Sequence, residues 1–128
     1  MRILLDTHAV IWAAEGDRRL GSNARLELQS CGEGEALISD ITLLEIAMLV
    51  AKKRIIISVS LANYLQQLAA KFPVLPVAPR IAADAVDMEL PHSDPFDRII
   101  AATAKYHEIP LLTRDARLAQ YPGISTIW

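Results

Sequence analysis

The amino-acid sequence predicts an α/β fold in which helices cover both faces of a central, mostly parallel sheet of four to five strands. Two observations favour this class. Short apolar runs alternate along the chain with segments of helical periodicity, and this alternation is typical of parallel strands joined by helices. The chain has 128 residues, of which 52% are hydrophobic, so we expect one domain over residues 1–128.

Five short apolar segments are predicted as strands. They cover residues 2–5, 36–38, 74–77, 110–112 and, as a further candidate, 124–127. Each is rich in Ile, Leu or Val, as expected for strands that are buried on both faces of a parallel sheet. The carboxyl ends of such strands meet at one edge of the sheet, and we expect the functional site there.

Helix-start signals separate these strands. The predicted helices pass through residues 9–13, 22–30, 41–51, 60–68, 81–88 and 95–104. Ser22, Asp40 and Asp94 are predicted N-caps, while Pro79 and Pro95 suit the first helical turn. The helices therefore fall between the strands, as crossover connections of a parallel sheet require.

Composition and charge limit the function classes. Cys31 is the single cysteine, which excludes an intrachain disulfide and a cysteine-based zinc site and leads us to expect a cytoplasmic location. No apolar run approaches the roughly 18 residues of a membrane span, so we expect no membrane partner. The net charge of −2 gives no broad basic surface. The aromatic residues are scattered along the sequence, which argues against a stacking platform for single strands.

Acidic residues in unusual positions are the strongest functional signal. Asp6 and Asp115 each follow a predicted strand, and Glu45 lies among apolar neighbours on a predicted helix. Each also has an ordinary explanation, because the two aspartates can cap helices and Glu45 can reach solvent from the edge of its stripe. Motifs of serine hydrolases, phosphate-binding loops, dinucleotide sites and zinc proteases are missing from the sequence.

Asp94 and Asp97 open the predicted sixth helix. Asp94 as N-cap, with Pro95 next and an acid in the first turn, forms a favourable helix start, so capping is a strong explanation for Asp94. Asp97 has apolar neighbours at Ile100 and Ala101, which makes a functional role equally reasonable for it. The sequence leaves both explanations open.

The topology predicts that the acids converge. A parallel sheet brings the carboxyl ends of neighbouring strands together, so Asp6 and Asp115 can converge while the following helices supply Glu45 and Asp97. Two like charges about 4 Å apart cost on the order of 4 kcal/mol at an effective dielectric of 20, and a divalent cation removes that cost. Oxygen ligands without His or Cys favour Mg²⁺ or Mn²⁺ over zinc, and such a centre is suited to phosphodiester hydrolysis.

Four stretches then resemble one known family. They are Leu4-Leu5-Asp6-Thr7-His8, Thr42-Leu43-Leu44-Glu45-Ile46-Ala47-Met48, the segment from His92 to Ala102 with Asp94-Pro95-Phe96-Asp97-Arg98, and Leu112-Thr113-Arg114-Asp115. In this order they resemble the PIN-domain family, specifically the VapC-type ribonuclease toxins of toxin–antitoxin pairs, over essentially the whole chain. The resemblance implies a PIN-like α/β/α sandwich, Mg²⁺ or Mn²⁺ held by Asp6, Glu45, Asp97 and Asp115, endoribonuclease activity and a cognate antitoxin. Asp94 is extra to this four-acid core.

Neighbouring residues suggest supporting roles. Thr7 and Thr113 adjoin the acids and can orient a carboxylate or water through a hydroxyl group. Asp94 is a further candidate for a supporting role, and whether it joins the metal ligands is left open. The arginines near the site can hold RNA phosphates or serve solubility alone; they are Arg98, Arg114 and Arg117.

Other interpretations and partners complete the predictions. A catalytically silent PIN-like binding module is one alternative, although it would have no reason to retain all four acids. An aspartyl-based phosphoryl-transfer domain is another, but His8 stands where a second aspartate would be needed. Residues 41–68 contain more apolar side chains than a small core requires, so we expect a homodimer that also binds an antitoxin segment.

Overall fold

The computed structural model describes residues 1–91 and 93–128; His92, which belongs to the third of the four stretches, lies outside the described residues. Within the described part the chain forms five strands: β1 (Ile3–Leu5), β2 (Ala36–Ser39), β3 (Val74–Leu75), β4 (Leu111–Leu112) and β5 (Thr126–Ile127). It also forms seven helices: α1 (Thr7–Glu15), α2 (Ser22–Ser30), α3 (Asp40–Ala51), α4 (Leu61–Lys71), α5 (Pro79–Asp87), α6 (Pro95–His107) and α7 (Ala116–Ala119).

The strands form one parallel sheet in the order β3-β2-β1-β4-β5. β1 lies in the middle, with Leu4 paired to Leu37 on one side and to Leu111 on the other. The predicted fold class is confirmed, and all the pairs between strands are parallel. Since β1 and β4 are neighbours, the residues that follow them emerge side by side at the carboxyl edge.

Alternate strand residues face two separate hydrophobic layers. Ile3 and Leu5 join the layer beneath α1 to α4, whereas Leu4 and Leu111 join the layer beneath α5, α6 and α7. All three residues of β1 are fully buried. This double burial explains the continuous apolar character of the strand segments, because a strand covered on one face alone would alternate with polar residues.

Two helix starts differ from the prediction by one residue. Gly21, not Ser22, is the N-cap of α2, and Ser39, not Asp40, is the N-cap of α3. The Ser39 hydroxyl accepts a hydrogen bond from the Ile41 N–H at 3.2 Å and is fully buried. A serine that ends one strand thus begins the next helix, and this leaves no loop between β2 and α3.

No helix in residues 1–91 or 93–128 is long and apolar enough to cross a membrane.

A carboxylate-lined cavity at the carboxyl edge of the sheet

The pairing of β1 with β4 positions the first acids of the site. The Asp6 N–H donates to the Leu112 carbonyl at 3.1 Å, so the chain after Leu5 and the chain after Leu112 leave the sheet together. Asp6 then caps α1, where its Oδ1 accepts from the Ala9 N–H at 2.8 Å. Capping and site formation are therefore compatible for this residue.

Burial raises the pKa of the Asp6 carboxyl above its ordinary value, and the Asp115 charge adds to the increase. Hydrogen bonding to Thr113 and to the Ala9 N–H acts in the opposite direction, as does the nearby His8. A carboxylate that is desolvated in this way is costly in its charged form unless a cation approaches it.

Glu45 reaches the site from the middle of α3. The Thr7 hydroxyl donates to its Oε1 and joins the start of α1 to α3. Burial raises the pKa of Glu45, and the charges of Asp94 and Asp6 raise it further, while the Thr7 hydrogen bond lowers it. Glu45 therefore lies in the cavity lining, where the start of α1 holds its carboxyl group.

Asp94 and Asp97 lie together at the start of α6. Asp94 is the N-cap, and its Oδ1 accepts from the Asp97 N–H at 2.8 Å. Burial raises the pKa of Asp97 from 3.8 to about 6, with further contributions from the charges of Asp94, Glu45 and Asp115. The charges of three other acids therefore affect the pKa of Asp97, which is not expected of a residue that only caps a helix.

Asp115 differs from the other acids because an arginine compensates its charge. Its Oδ1 accepts from the Arg117 N–H at 2.9 Å in capping α7, and its Oδ2 accepts from the Arg117 guanidinium at 2.8 Å. This pairing lowers the pKa of Asp115. The same guanidinium lies 3.5 Å from Asp97 Oδ2. Arg117 thus contacts two of the acids, and its role as a phosphate contact stays a prediction.

All the predicted acids line one cavity of about 300 Å³. The acidic wall consists of Asp6, Glu45, Asp94, Asp97 and Asp115. The remaining lining includes His8, Trp12, Arg114 and Trp128, which we call the aromatic wall. The sequence predicted the convergence of the acids but not the aromatic part of this cavity. The i, i+4 spacing of His8 and Trp12 on α1 was the available signal for half of it.

The chemistry of the donor set suits a divalent cation. The acids offer hard carboxylate oxygens, and burial with mutual repulsion gives three of them raised pKa values, which a cation would relieve. As placed, no group of three or more His, Cys, Asp or Glu side chains among the described residues is arranged around a common metal position. Thr7 and Arg117 occupy carboxylate oxygens instead. The chemistry therefore fits Mg²⁺ or Mn²⁺, provided that these contacts rearrange.

Arg98 is used differently from the prediction. Its guanidinium donates to the main-chain carbonyls of Ala85, Met88 and Leu90 at 3.1, 2.7 and 2.9 Å. These bonds fasten the end of α5 and the following turn to α6. Because its donors already satisfy these buried carbonyls, Arg98 is corrected from a candidate phosphate contact to a structural residue.

The fold and the cavity together define an α/β/α protein with an acidic site at the carboxyl edge of a parallel sheet. The family pattern described as PIN domain matches residues 3–124. Ribonuclease VapC22 of Mycobacterium tuberculosis (strain ATCC 25618 / H37Rv) is 34% identical over 131 residues, which cover 98% of each chain.

Solved structures agree with this assignment. A toxin–antitoxin complex from Klebsiella pneumoniae matches with a TM-score of 0.69 and 25% identity over 97% of this chain and 96% of the other. DNA-bound VapBC from Salmonella typhimurium shares the fold, with a TM-score of 0.73 and 19% identity over 98% and 96% of the two chains. The chain belongs to the PIN-domain family, in the group of VapC-type ribonuclease toxins.

Proposed function

We propose that this protein is an endoribonuclease that depends on Mg²⁺ or Mn²⁺ and acts in the cytoplasm as the toxin of a toxin–antitoxin pair. The observation that carries the proposal is the single cavity into which Asp6, Glu45, Asp97 and Asp115 project, in a chain of the PIN-domain family. The likeness to a protein named as a ribonuclease supports the substrate class.

In this proposal the four acids bind the cation, and residues next to the acids hold the carboxylates in position. When bound, Mg²⁺ or Mn²⁺ supplies activation of water and compensation of the charge that develops on the phosphodiester. The Ala9 N–H fixes the Asp6 carboxylate, and the Thr7 hydroxyl fixes that of Glu45. Such fixed partners keep a carboxylate oriented for its ligand. Asp94 caps α6 and adds negative charge to the same cavity.

RNA phosphates are expected to contact the arginine side of the cavity. Arg114 is exposed and lines the cavity beside Asp115. Arg117 becomes available for a phosphate only when a cation replaces it at Asp115 and Asp97, since its guanidinium contacts both carboxylates in the structure. Phosphate contacts of this kind position a strand without reading its sequence.

The proposal is tested with purified protein and a mixed-sequence, unstructured RNA. We expect cleavage with Mn²⁺ or Mg²⁺ and none with EDTA. Asp6→Asn is expected to remove at least about 99% of the rate, the scale for loss of a metal-site group, whereas Asp84→Asn, a matched change in an exposed Asp–Arg pair on α5, should cleave as the wild type does. Cleavage that continues unchanged in EDTA would refute the metal mechanism. A protein that binds RNA but never cleaves it would favour the silent binding module.

The partner surface is proposed on α3 and the segment after it. Leu44, Met48, Ile56 and Val59 are 52%, 37%, 90% and 42% exposed, respectively. Other apolar residues of 41–68 complete the core, since Leu68 is buried and Tyr64 and Leu65 pack against the same layer. The exposed four form the patch that we assign to the antitoxin and the second copy of the chain.

The oligomeric state tests this surface. Light scattering at tens of micromolar, a range set by ordinary dimer affinities, is expected to give the dimer mass for the wild type and a lower mass for Leu44→Glu with Ile56→Glu. The matched change Val86→Glu, at a 79% exposed position on α5, should leave the mass unchanged. A monomer for the wild type would remove the dimer from the proposal.

A further inference from the structure

The aromatic wall of the cavity is built around Trp12. This indole is only 4% exposed, so it cannot itself receive a ligand on an open face. The rings of His8 and Trp128 lie against it, with centroids 5.5 and 5.8 Å from its own and interplanar angles of 50° and 59°. His8 is exposed and Trp128 is half-buried, so their outer surfaces remain open to the cavity.

Arg114 lies over the same indole. Its guanidinium carbon is 4.8 Å from the ring centroid of Trp12, within the range of a cation–π contact. Although Asp6 and Asp115 line the same cavity, Arg114 forms no ion pair with a carboxylate in the described part of the chain. A guanidinium that is held by an aromatic ring in this way keeps its hydrogen-bond donors for another anion.

A second arginine near Trp12 provides the contrast. The guanidinium carbon of Arg19 is 5.0 Å from the Trp12 centroid. Asp17, however, accepts from Arg19 Nε at 3.1 Å and from its terminal nitrogen at 2.8 Å. Asp17 therefore compensates the charge of Arg19 within its own loop. Arg114 lines the cavity, and its guanidinium remains available for an anion there.

Gly21 fixes the position of Trp128. A Cβ atom at residue 21 would lie 2.5 Å from the Trp128 carbonyl carbon. It would also lie 2.7 Å from Cδ1 and 2.8 Å from Cγ of the Trp128 side chain. The φ angle of Gly21 is −60°, which any residue can adopt. The glycine is thus needed for the space that Trp128 occupies and not for its backbone conformation.

We propose that Arg114, His8 and Trp128, held by Trp12, form a subsite for one unpaired nucleotide of the RNA strand beside the cleaved phosphodiester; this inference rests on the proposed function. Arg114 binds a phosphate of that nucleotide, and Trp128 and His8 flank its base. Trp12 is a positioning residue, since it acts through the groups packed on it. Because the whole cavity has a volume of about 300 Å³, we expect one unpaired nucleotide to enter it and not a base pair.

Tryptophan fluorescence measures occupancy of this subsite directly, because the chain has two tryptophans and both belong to the wall. The probe is a short oligouridylate, added in EDTA at low ionic strength so that it is not cleaved. We expect it to quench the fluorescence. An abasic strand with the same number of phosphates should bind more weakly and leave the fluorescence nearly unchanged, because it offers no ring to stack.

Two variants test the two halves of the subsite. Gly21→Ala displaces Trp128 and is expected to weaken oligouridylate binding about five- to hundredfold, the range for one lost base–aromatic stack. Arg114→Gln is expected to reduce the slope of log affinity against log salt by about 0.7, the value for one phosphate contact on a single strand. Arg19→Gln is the matched control for Arg114→Gln and should keep the wild-type slope.

Cleavage kinetics with Mn²⁺ separate this subsite from the proposed function. We expect Gly21→Ala and Arg114→Gln to raise KM by factors that match their binding losses while kcat stays within about twofold of wild type, as for an interaction made equally in ground and transition states. Wild-type KM in both variants would overturn the subsite and leave the nuclease intact. Quenching that Gly21→Ala weakens, in a protein without nuclease activity, would keep the subsite and refute the proposed function.

Discussion

Replacing Asp97 with Asn separates a cavity carboxylate from a helix cap, because the two roles change stability in opposite directions. Burial and three neighbouring acids raise the pKa of Asp97 from 3.8 to about 6. At 1.36 kcal/mol per pKa unit, this difference corresponds to about 3 kcal/mol of destabilisation of the charged native state at neutral pH. Asn has no charge and avoids this cost.

Two effects reduce the gain from Asp97→Asn. The side chain is 30% exposed, so solvent screens part of the repulsion, and the substitution removes about 0.3–1 kcal/mol of favourable interaction with the helix dipole. We therefore expect the variant to be about 1–2 kcal/mol more stable in EDTA, which raises the melting temperature by roughly 3–8 °C for a domain of this size.

The assay is thermal unfolding with EDTA and with Mn²⁺, followed by RNA cleavage. Asp97→Asn should gain less stability from Mn²⁺ than the wild type by binding linkage and lose cleavage at least about a hundredfold. Asp40→Asn is the matched control, since Asp40 is also a first-turn acid but binds the Val77 N–H outside the cavity. We expect it to lose about 0.3–1 kcal/mol with or without metal.

The opposite pattern would refute this reasoning. If Asp97→Asn melts below the wild type in EDTA and cleaves RNA at nearly the wild-type rate, Asp97 acts only at the start of its helix. Asp94→Asn adds a graded comparison, because Asn caps a helix nearly as well as Asp. It should retain more cleavage than Asp97→Asn, although it also removes a charge from the cavity.

Three further predictions follow from the contacts of the site. In EDTA the wild type should have a higher melting temperature near pH 5 than at pH 7.5. The folded-state pKa of Asp97 is raised to about 6, so the native state binds more protons than the unfolded chain in this pH range. A melting temperature that rises with pH in this range, or a pH dependence that Asp97→Asn does not reduce, would contradict the prediction. Arg117→Gln should bind Mn²⁺ more tightly by calorimetry, since it frees Asp115 Oδ2 from the contact at 2.8 Å; weaker binding would make Arg117 a support of the metal site. Arg98→Gln should lose about 2–4 kcal/mol in urea unfolding, because three main-chain carbonyls lose a charged donor, whereas Arg80→Gln, in an exposed pair, should stay within about 1 kcal/mol of wild type.

The parallel sheet could be anticipated because the strands are buried on both faces. Continuous apolar runs such as Ile3–Leu5 have no amphipathic alternation, and only a sheet covered by helices on both sides buries every residue of them. The exact ends were less certain. The predicted strand at 74–77 is two residues long, Val74–Leu75, because pairing with β2 involves Ile38 and Ser39, after which α3 begins. Strand ends depend on the partner, which periodicity does not contain.

The acids were also predictable, while the use of the arginines was not. A carboxylate after a buried strand or on an apolar stripe stands out because its local surroundings disfavour it. An arginine near the same motif does not stand out in this way. Its long side chain can reach several different partners, and the sequence does not show which of them it contacts. Arg98, Arg114 and Arg117 were considered equivalent, yet they bind main-chain carbonyls, an indole ring and two carboxylates, respectively. Tertiary packing alone separates these three environments.

The aromatic wall shows a different limit of the sequence. Scattered aromatic residues argued against a stacking surface, but Trp12 and Trp128 meet although 116 positions separate them. β5 lies beside β4 and β4 beside β1, so the chain after Ile127 returns to the edge from which α1 starts. The contact is a consequence of the strand order and could have been expected only once that order was known.

The charge of the cavity implies an order of binding. Five carboxylates line it, and Arg114 and Arg117 are the arginines beside them in the described part of the chain. With His8 counted as neutral, five negative and two positive charges leave a formal charge of −3. One guanidinium cannot satisfy this set, since Arg117 lowers the pKa of Asp115 while that of Asp97 stays raised. An RNA phosphate that entered first would meet uncompensated carboxylates at close range, which is costly in a partly buried site. In the proposed function, a bound divalent cation would compensate two of these charges and would replace Arg117 at Asp97 and Asp115. RNA affinity at the cavity should therefore increase with added cation. Binding at the nucleotide subsite that contains Arg114 should depend least on the cation.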